Sequence, residues 1–393
     1  MGYTKLFTFC ETQSLKLLQE SRLTFIILSP VFFLISWFSV HFFEKSAKGS
    51  GIPQVLLALE SEPLLIKRNL LRIRTILFKV FGSCVALLGG ASIGREGPSI
   101  QISSAIAYEV KKLFAKIDIK IENSYMIITG AAAGLAAAFN TPIGGIVFAI
   151  EELSREHIRS FRIGLLQGIM ISGIVSQALL GSYLYLGLAP VTAFHLNSVG
   201  WIILVALITG VAGALFGDLL ANAIVRVQRK PFMFQVGTVV FSSVMLIILY
   251  FLCGSTVFYS GKTEINHWLF SSDFASPLDC IARFLGPFFS SLTGISGGIF
   301  APSLSAGASL GSLISSVFIP ELKVNLALTG MIGFLTGVTR VPITSFILVL
   351  EMTDRHLAIT TMMIATLVSH LASRLISSKS FYEILLEEMK SRT

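Results

Sequence analysis

Glu96 lies in Gly94-Arg95-Glu96-Gly97-Pro98-Ser99-Ile100-Gln101, a charged, glycine-rich interruption between the apolar segments Thr75 to Ile93 and Ile100 to Ala107. Proline suits the first turn of a helix and glycine lets the chain bend sharply ahead of it, so Pro98 marks a helix start with Glu96 just before its N-terminus. That end of a helix carries unpaired N–H groups and the positive end of the dipole, which attract an anion; the Glu96 carboxylate could occupy the same place. Arg95 is no simple partner, because neighbours in sequence do not face each other on a helix. The plain alternative is a pair of loop charges at a membrane surface, but an acid flanked by apolar segments is a functional-site hypothesis by default.

The same grammar recurs in Lys48-Gly49-Ser50-Gly51-Ile52-Pro53 and in Gly297-Gly298-Ile299-Phe300-Ala301-Pro302. Ser50 alone reads as a routine N-cap. Three N-termini, near Pro53, Pro98 and Pro302, could converge and offer N–H donors without placing a full Lys or Arg charge in the pathway. Such a site binds a small anion well enough to replace water and weakly enough to release it. Protonating Glu96 would remove a competitor for it, linking proton and anion occupancy. Glu152 is the second acid of interest. Its neighbour Glu151 has a counterpart later in the chain, Glu351, whereas Glu152 is answered by Met352, so Glu152 reads as specific to a site and Glu151 as structural. The simpler account of Glu152 is an acid ending a helix near a basic loop, a mildly unfavourable place for it.

The elements that must position these residues are apolar helices. Of 393 residues 53% are hydrophobic and 13% charged, with mean hydropathy +0.79, against roughly 25% charged in a soluble domain. The chain reads as an all-α polytopic membrane protein. Leu23 to Phe43 is a retained first span behind a basic segment, residues 1–22, taken as cytoplasmic. Residues 23–382 form the transmembrane domain and 383–393 a short tail. The net charge of +8 comes from basic clusters between apolar segments (Lys67, Arg68, Arg72, Arg74; Lys111, Lys112, Lys116, Lys120; Arg155, Arg159, Arg162), which suit cytoplasmic loops rather than nucleic acid. The four cysteines have no paired spacing, so neither a disulfide framework nor a metal site is indicated, and no cofactor is called for. Gly254 to Pro277 reads as an irregular aqueous loop.

The chain also repeats itself. Gly130 and Gly330, Pro142 and Pro342, Glu151 and Glu351 each stand 200 positions apart (330 less 130, and so on). Apolar segments are broken in matching places, at Asn140-Thr141-Pro142 and Arg340-Val341-Pro342. The two repeats run over about 74–186 and 281–376. Duplicated halves with matching breaks point to a transporter whose site lies mid-membrane between them, although parallel and inverted arrangements are both open at this level.

Gly49-Ser50-Gly51-Ile52-Pro53, Gly94-Arg95-Glu96-Gly97-Pro98 and Gly298-Ile299-Phe300-Ala301-Pro302, in this order, resemble the three signature segments of the CLC family of chloride channels and chloride/proton exchangers. The resemblance runs from the first span to Tyr382. It implies an inverted-repeat helical fold and a homodimer with one anion pathway per subunit. It also implies that Glu96 is the gating glutamate and that Ser50 contacts chloride. Ile299 and Phe300 would hold the ion through backbone N–H groups, with Tyr382 as a tyrosine partner. Glu152 falls where exchangers carry an internal proton-transfer glutamate, so antiport is favoured over a passive voltage- or pH-gated chloride channel. The absence of nucleotide-binding domains after Tyr382 resembles compact prokaryotic members of a bacterial inner membrane. Gln54 departs from the family, where an acid often follows the first motif. An enzyme is disfavoured: the six histidines include no metal-binding pair, and no acidic pair sits within the apolar runs.

Overall fold

The computed structural model describes residues 2–61, 67, 69–115, 121–153, 163–181 and 184–392. Arg68, Lys116, Lys120, Arg155, Arg159 and Arg162 of the basic clusters lie outside them. Among the described residues there are seventeen α-helices and one isolated backbone bridge.

The first eight helices are α1 Gly2–Glu20, α2 Arg22–Phe38, α3 Ile52–Glu60, α4 Ile73–Leu88, α5 Glu96–Ala115, α6 Asn123–Phe139, α7 Pro142–Phe148 and α8 Ile163–Leu180. The next eight follow the same plan: α9 Val199–Gln228, α10 Phe232–Cys253, α11 Lys262–Phe270, α12 Pro277–Leu292, α13 Phe300–Phe318, α14 Lys323–Thr339, α15 Pro342–Thr353 and α16 Ile359–Ile376. A last helix, α17 Phe381–Lys390, closes the chain. Even the short helices correspond: α3 and α11 are each preceded by a glycine in the left-handed region, Gly51 at φ +102° and Gly261 at φ +84°. The duplication therefore extends back beyond the boundaries the sequence repeat suggests.

The halves are inverted. Phe38 at the end of α2 and Phe42 just beyond it pack on Phe232 at the start of α10, while Arg22 at the start of α2 shares a cavity wall with Tyr250 and Gly254 at the end of α10. Equivalent helices thus run in opposite directions. Two-fold reciprocity is also written in hydrogen bonds. The Glu151 carboxylate accepts from the N–H groups of Ile343 (3.0 Å) and Thr344 (2.7 Å), at the start of α15. Glu351 accepts from those of Ile143 (3.1 Å) and Gly144 (2.6 Å), at the start of α7. Each acid satisfies the orphan donors of the other half's broken helix. The breaks themselves are left-handed residues that stop one helix before a proline opens the next, Asn140 at φ +59° and Arg340 at φ +60°.

Among the described residues five stretches are long and apolar enough to cross a membrane: Arg22–Phe43, Leu196–Gln228, Phe232–Val257, Pro320–Thr339 and His356–Ile376. The Pro320–Thr339 span is 94% buried within the protein, and small residues let its neighbours close on it. A methyl group on Gly130 in the equivalent helix α6 would stand 2.6 Å from the Ser103 carbonyl oxygen of α5.

Three expectations need correction. Residues 1–22 are not a separate polar segment: α1 packs on α4, with Tyr3 hydroxyl donating to Ser83 Oγ (3.0 Å) and Ser14 hydroxyl to the Leu88 carbonyl (3.0 Å). Its buried Phe7, Cys10 and Leu18 join the core that holds α2 and α4. The supposed aqueous loop between Gly254 and Pro277 contains α11, whose Glu264 pairs with the fully buried Arg283 at 2.7 Å. The supposed tail is α17, which buries Tyr382 and Leu386 and packs on α3 and α9. Each misreading arose because a few polar residues, satisfied by distant partners, lower the apparent hydropathy of a packed helix.

Glu151→Ala and Glu351→Ala should each destabilise the fold by about 2 kcal/mol, the order of two charge-assisted bonds to backbone donors. Thermal unfolding of the solubilised protein checks this; a loss confined to one of the two variants would refute the reciprocity.

Candidate functional site

The three signature segments meet. Gly94 and Gly298 exchange backbone hydrogen bonds as an antiparallel bridge, N–H to oxygen distances 2.7 and 2.8 Å. Gly297 donates to the Gly49 carbonyl (3.0 Å) and Gly49 donates to that of Ile295 (3.1 Å). Lys79, fully buried in α4, clamps the first segment by donating to the carbonyls of Ala47 (3.0 Å) and Gly49 (2.8 Å). Ser296 in turn donates to the Lys79 carbonyl at 3.1 Å. Loop carbonyls are consumed in this stitching, which leaves the N–H ends of α3, α5 and α13 turned toward one place.

Side-chain-free backbone is needed there. A Cβ on Gly97 would overlap the Ser50 hydroxyl and stand 2.7 Å from the Ser50 carbonyl oxygen. One on Gly94 would overlap the Glu96 carboxylate and come 3.2 Å from Pro302 Cδ. Glu96 thus folds back over Gly94 toward the start of α13, close to the Ala301 N–H. It is the first residue of α5 rather than a residue ahead of it. It is fully buried, and neither oxygen has a hydrogen-bond partner among the described residues. A carboxylate so placed relies on the N-terminal donors and dipoles around it.

Ser50 and Tyr382 sit beside one another, and their hydroxyls are buried without a partner that meets hydrogen-bond geometry. The Tyr382 ring stacks on Phe300 with centroids 6.1 Å apart and planes 18° apart. Phe300 also meets Phe148 of α7 edge-on at 6.2 Å. Ile299 and Phe300, both buried, open α13. Glu152 lies in a π-helical turn, Ala149–Leu153, that follows Phe148; it is 3% exposed and acts electrostatically on Tyr382. It lines neither of the two cavities that reach the site.

Those cavities approach from opposite ends. One, of about 430 Å³, is lined by Ser50, Pro53, Ile299 and Phe381 with Lys45, Lys48 and Arg392 among its charged walls. The other, of about 190 Å³, is lined by Glu96 and Arg95 together with Thr8, Glu11, Tyr185 and Lys262. The N-termini lie between them. The residues of the three signature segments and Tyr382 are therefore at or beside one locus, whereas Glu152 stands off it and acts on Tyr382. Sequence reasoning missed Lys79, although a lysine inside the apolar run Thr75 to Ile93 was itself a signal. It also missed Glu11 and Lys262, for which no local pattern exists.

An inverted-repeat bundle with a buried carboxylate at converging helix N-termini between two opposed cavities defines a membrane transport protein. The chain belongs to the voltage gated chloride channel family, whose sequence profile matches residues 32–374. It is 29% identical over 379 residues to an H(+)/Cl(-) exchange transporter, ClcA, of Vibrio cholerae, covering 92% of this chain and 78% of the relative. It is equally 29% identical over 382 residues to the ClcA exchanger of Vibrio parahaemolyticus, at 92% and 79%. Among solved structures, a slow cyanobacterial Cl-/H+ antiporter superposes with a TM-score of 0.86 at 25% identity, covering 100% of this chain and 94% of that one. A CLC-type fluoride/proton antiporter shares the fold, with a TM-score of 0.79 at 21% identity and coverage of 98% and 92%.

Gly97→Ala should weaken halide binding by about tenfold or more because the new methyl displaces Ser50. Gly237→Ala, where a methyl meets nothing within 4 Å, should leave binding unchanged. Calorimetric titration of the purified protein with chloride reads both, and equal affinities would exclude this geometry.

Proposed function

We propose that this protein is a chloride/proton antiporter. The observation that carries the reading is the Glu96 carboxylate, buried between two opposed cavities at the place where three helix N-termini leave donors for an anion. Ionised, it occupies that place; protonated, it gives it up, so a proton taken at one side is linked to an anion admitted at the site. Ser50 and Tyr382 contribute hydroxyl donors, and Ile299 and Phe300 contribute backbone N–H groups. Glu152, off the anion route and near Tyr382, passes the proton to the cavity on the Ser50 side. The signature glycines and prolines, Gly49, Gly51, Pro53, Gly94, Gly97, Pro98, Gly298 and Pro302, with Arg95, shape this locus.

The weakness of each contact serves the function. A helix N-terminus contributes about 0.3–2 kcal/mol toward an anion, far less than a desolvated full charge, so several together bind without trapping. We further propose that residues 23–382 act with α1 as one transport unit in a homodimer, each subunit with its own pathway, set in lipid in a bacterial inner membrane. The exposed apolar stripe Met363, Leu367, Leu371 and Leu375 on α16 suits lipid or a second subunit. Lys45, Lys48, Arg72, Arg74, Arg229 and Lys230 crowd the end where the Ser50 cavity opens, which supports a cytoplasmic placement for that end. The α1–α2 turn, at the other end of α2, then faces away from the cytoplasm.

In proteoliposomes an imposed chloride gradient should drive protons uphill; chloride leaking without them would favour a passive channel. Glu96→Gln should abolish proton coupling while anion flux persists, and Glu152→Gln should weaken proton movement specifically. Coupling unchanged in both variants would remove these assignments.

A further inference from the structure

The cavity on the Glu96 side contains an acid that neither the signature motifs nor the proposed mechanism uses. Glu11 projects from α1, one turn from Thr8, whose hydroxyl accepts from Arg95 Nη1 at 3.3 Å. Two cations face the same space. The Arg95 guanidinium lies 5.5 Å from the centroid of the Tyr185 ring, and Lys262 Nζ lies 4.3 Å from the centroid of the same ring. Glu264, another acid acting on Glu11, is paired with Arg283. Among the described residues, the charged groups acting on Glu11 are thus Arg95 just ahead of α5, Lys262 and Glu264 from α11 and Arg283 from α12. Tyr259 is a further titratable neighbour, and Glu96 lines the same walls.

The charge balance of this small cavity is decided by its acids. Arg95 and Lys262 supply two positive charges; Glu11 and Glu96, both ionised, supply two negative ones, for a sum of zero. Protonating Glu11 leaves the cavity at +1, and protonating both acids leaves it at +2. In a narrow space with low-dielectric walls, one unit of charge changes the local concentration of an anion several-fold.

Resting on the antiport reading, we propose that Glu11 is a flux-limiting carboxylate of this vestibule. It competes with the entering chloride for the field of Arg95 and Lys262, and its protonation from the adjoining solution admits the anion. Proton and chloride are then linked at the entrance as well as at the deep site. Glu11 acts on the anion through these cations and is a positioning residue rather than a gate.

The test is chloride uptake by the full chain in liposomes, with proton movement recorded in the same sample and pH and chloride varied on the Glu11 side alone. Glu11→Gln should lower the chloride KM on that side by about threefold to tenfold at neutral pH. It should also flatten the fall of KM with acidification, with chloride moved per proton unchanged. Lys262→Gln should raise KM in the opposite sense, which keeps the test open should the Glu11 variant fail to fold. A Glu11→Gln protein with the parent's KM and pH profile overturns the proposal, as does a Lys262→Gln protein with unaltered KM. Chloride uptake without protons in the parent would overturn antiport alone, because the KM comparison reads the vestibule in a channel equally well.

Discussion

The first N–H groups of an α-helix have no partner inside the helix, and in a membrane interior water is not there to take them. Everything near the site follows from meeting that demand three times at one place. α3, α5 and α13 begin within the protein rather than at its surface, and their first turns suit an anion or a side chain that imitates one. Glu96 is that imitation. Its burial and its proximity to the Ala301 N–H describe a group held at the same helix ends that would attract an anion.

Bringing three N-termini together costs backbone space, and the glycines supply it. The Gly94–Gly298 bridge and the Gly297–Gly49 bond hold loops of the two halves in van der Waals contact, and Gly97 lets the Ser50 backbone lie against α5. Lys79 completes the clamp from below by binding the carbonyls that the loops leave over. The inverted repeat makes the convergence possible in the first place. Two copies of one broken-helix unit related by a two-fold axis put their interruptions at the same depth, and the reciprocal Glu151 and Glu351 caps fix the halves in that relation.

Motif residues were legible early because their types already carry the physics. A glycine before a proline-led helix start reads the same in any context, and an acid between apolar segments demands an explanation. The asymmetry between Glu152 and Met352 marked one acid as special while the symmetric pair Glu151 and Glu351 proved to be caps. Less legible were α1, α11 and α17. Their polar residues find partners such as Leu88, Arg283 and Arg229 far along the chain, and nothing in a local window reports those partners. The same holds for Cys10 and Cys84, distant in sequence and side by side between α1 and α4.

By itself, then, the sequence determined an all-helical, duplicated membrane chain, the three helix starts, and the acids and hydroxyls able to act there, because hydropathy, proline and glycine impose local rules. Tertiary structure alone decided that the halves are inverted, that the three starts share one locus between opposed cavities, and that Glu11, Lys79 and Lys262 stand beside it. Those facts depend on contacts between residues tens to hundreds of positions apart, and close packing, not local preference, selects which of them form.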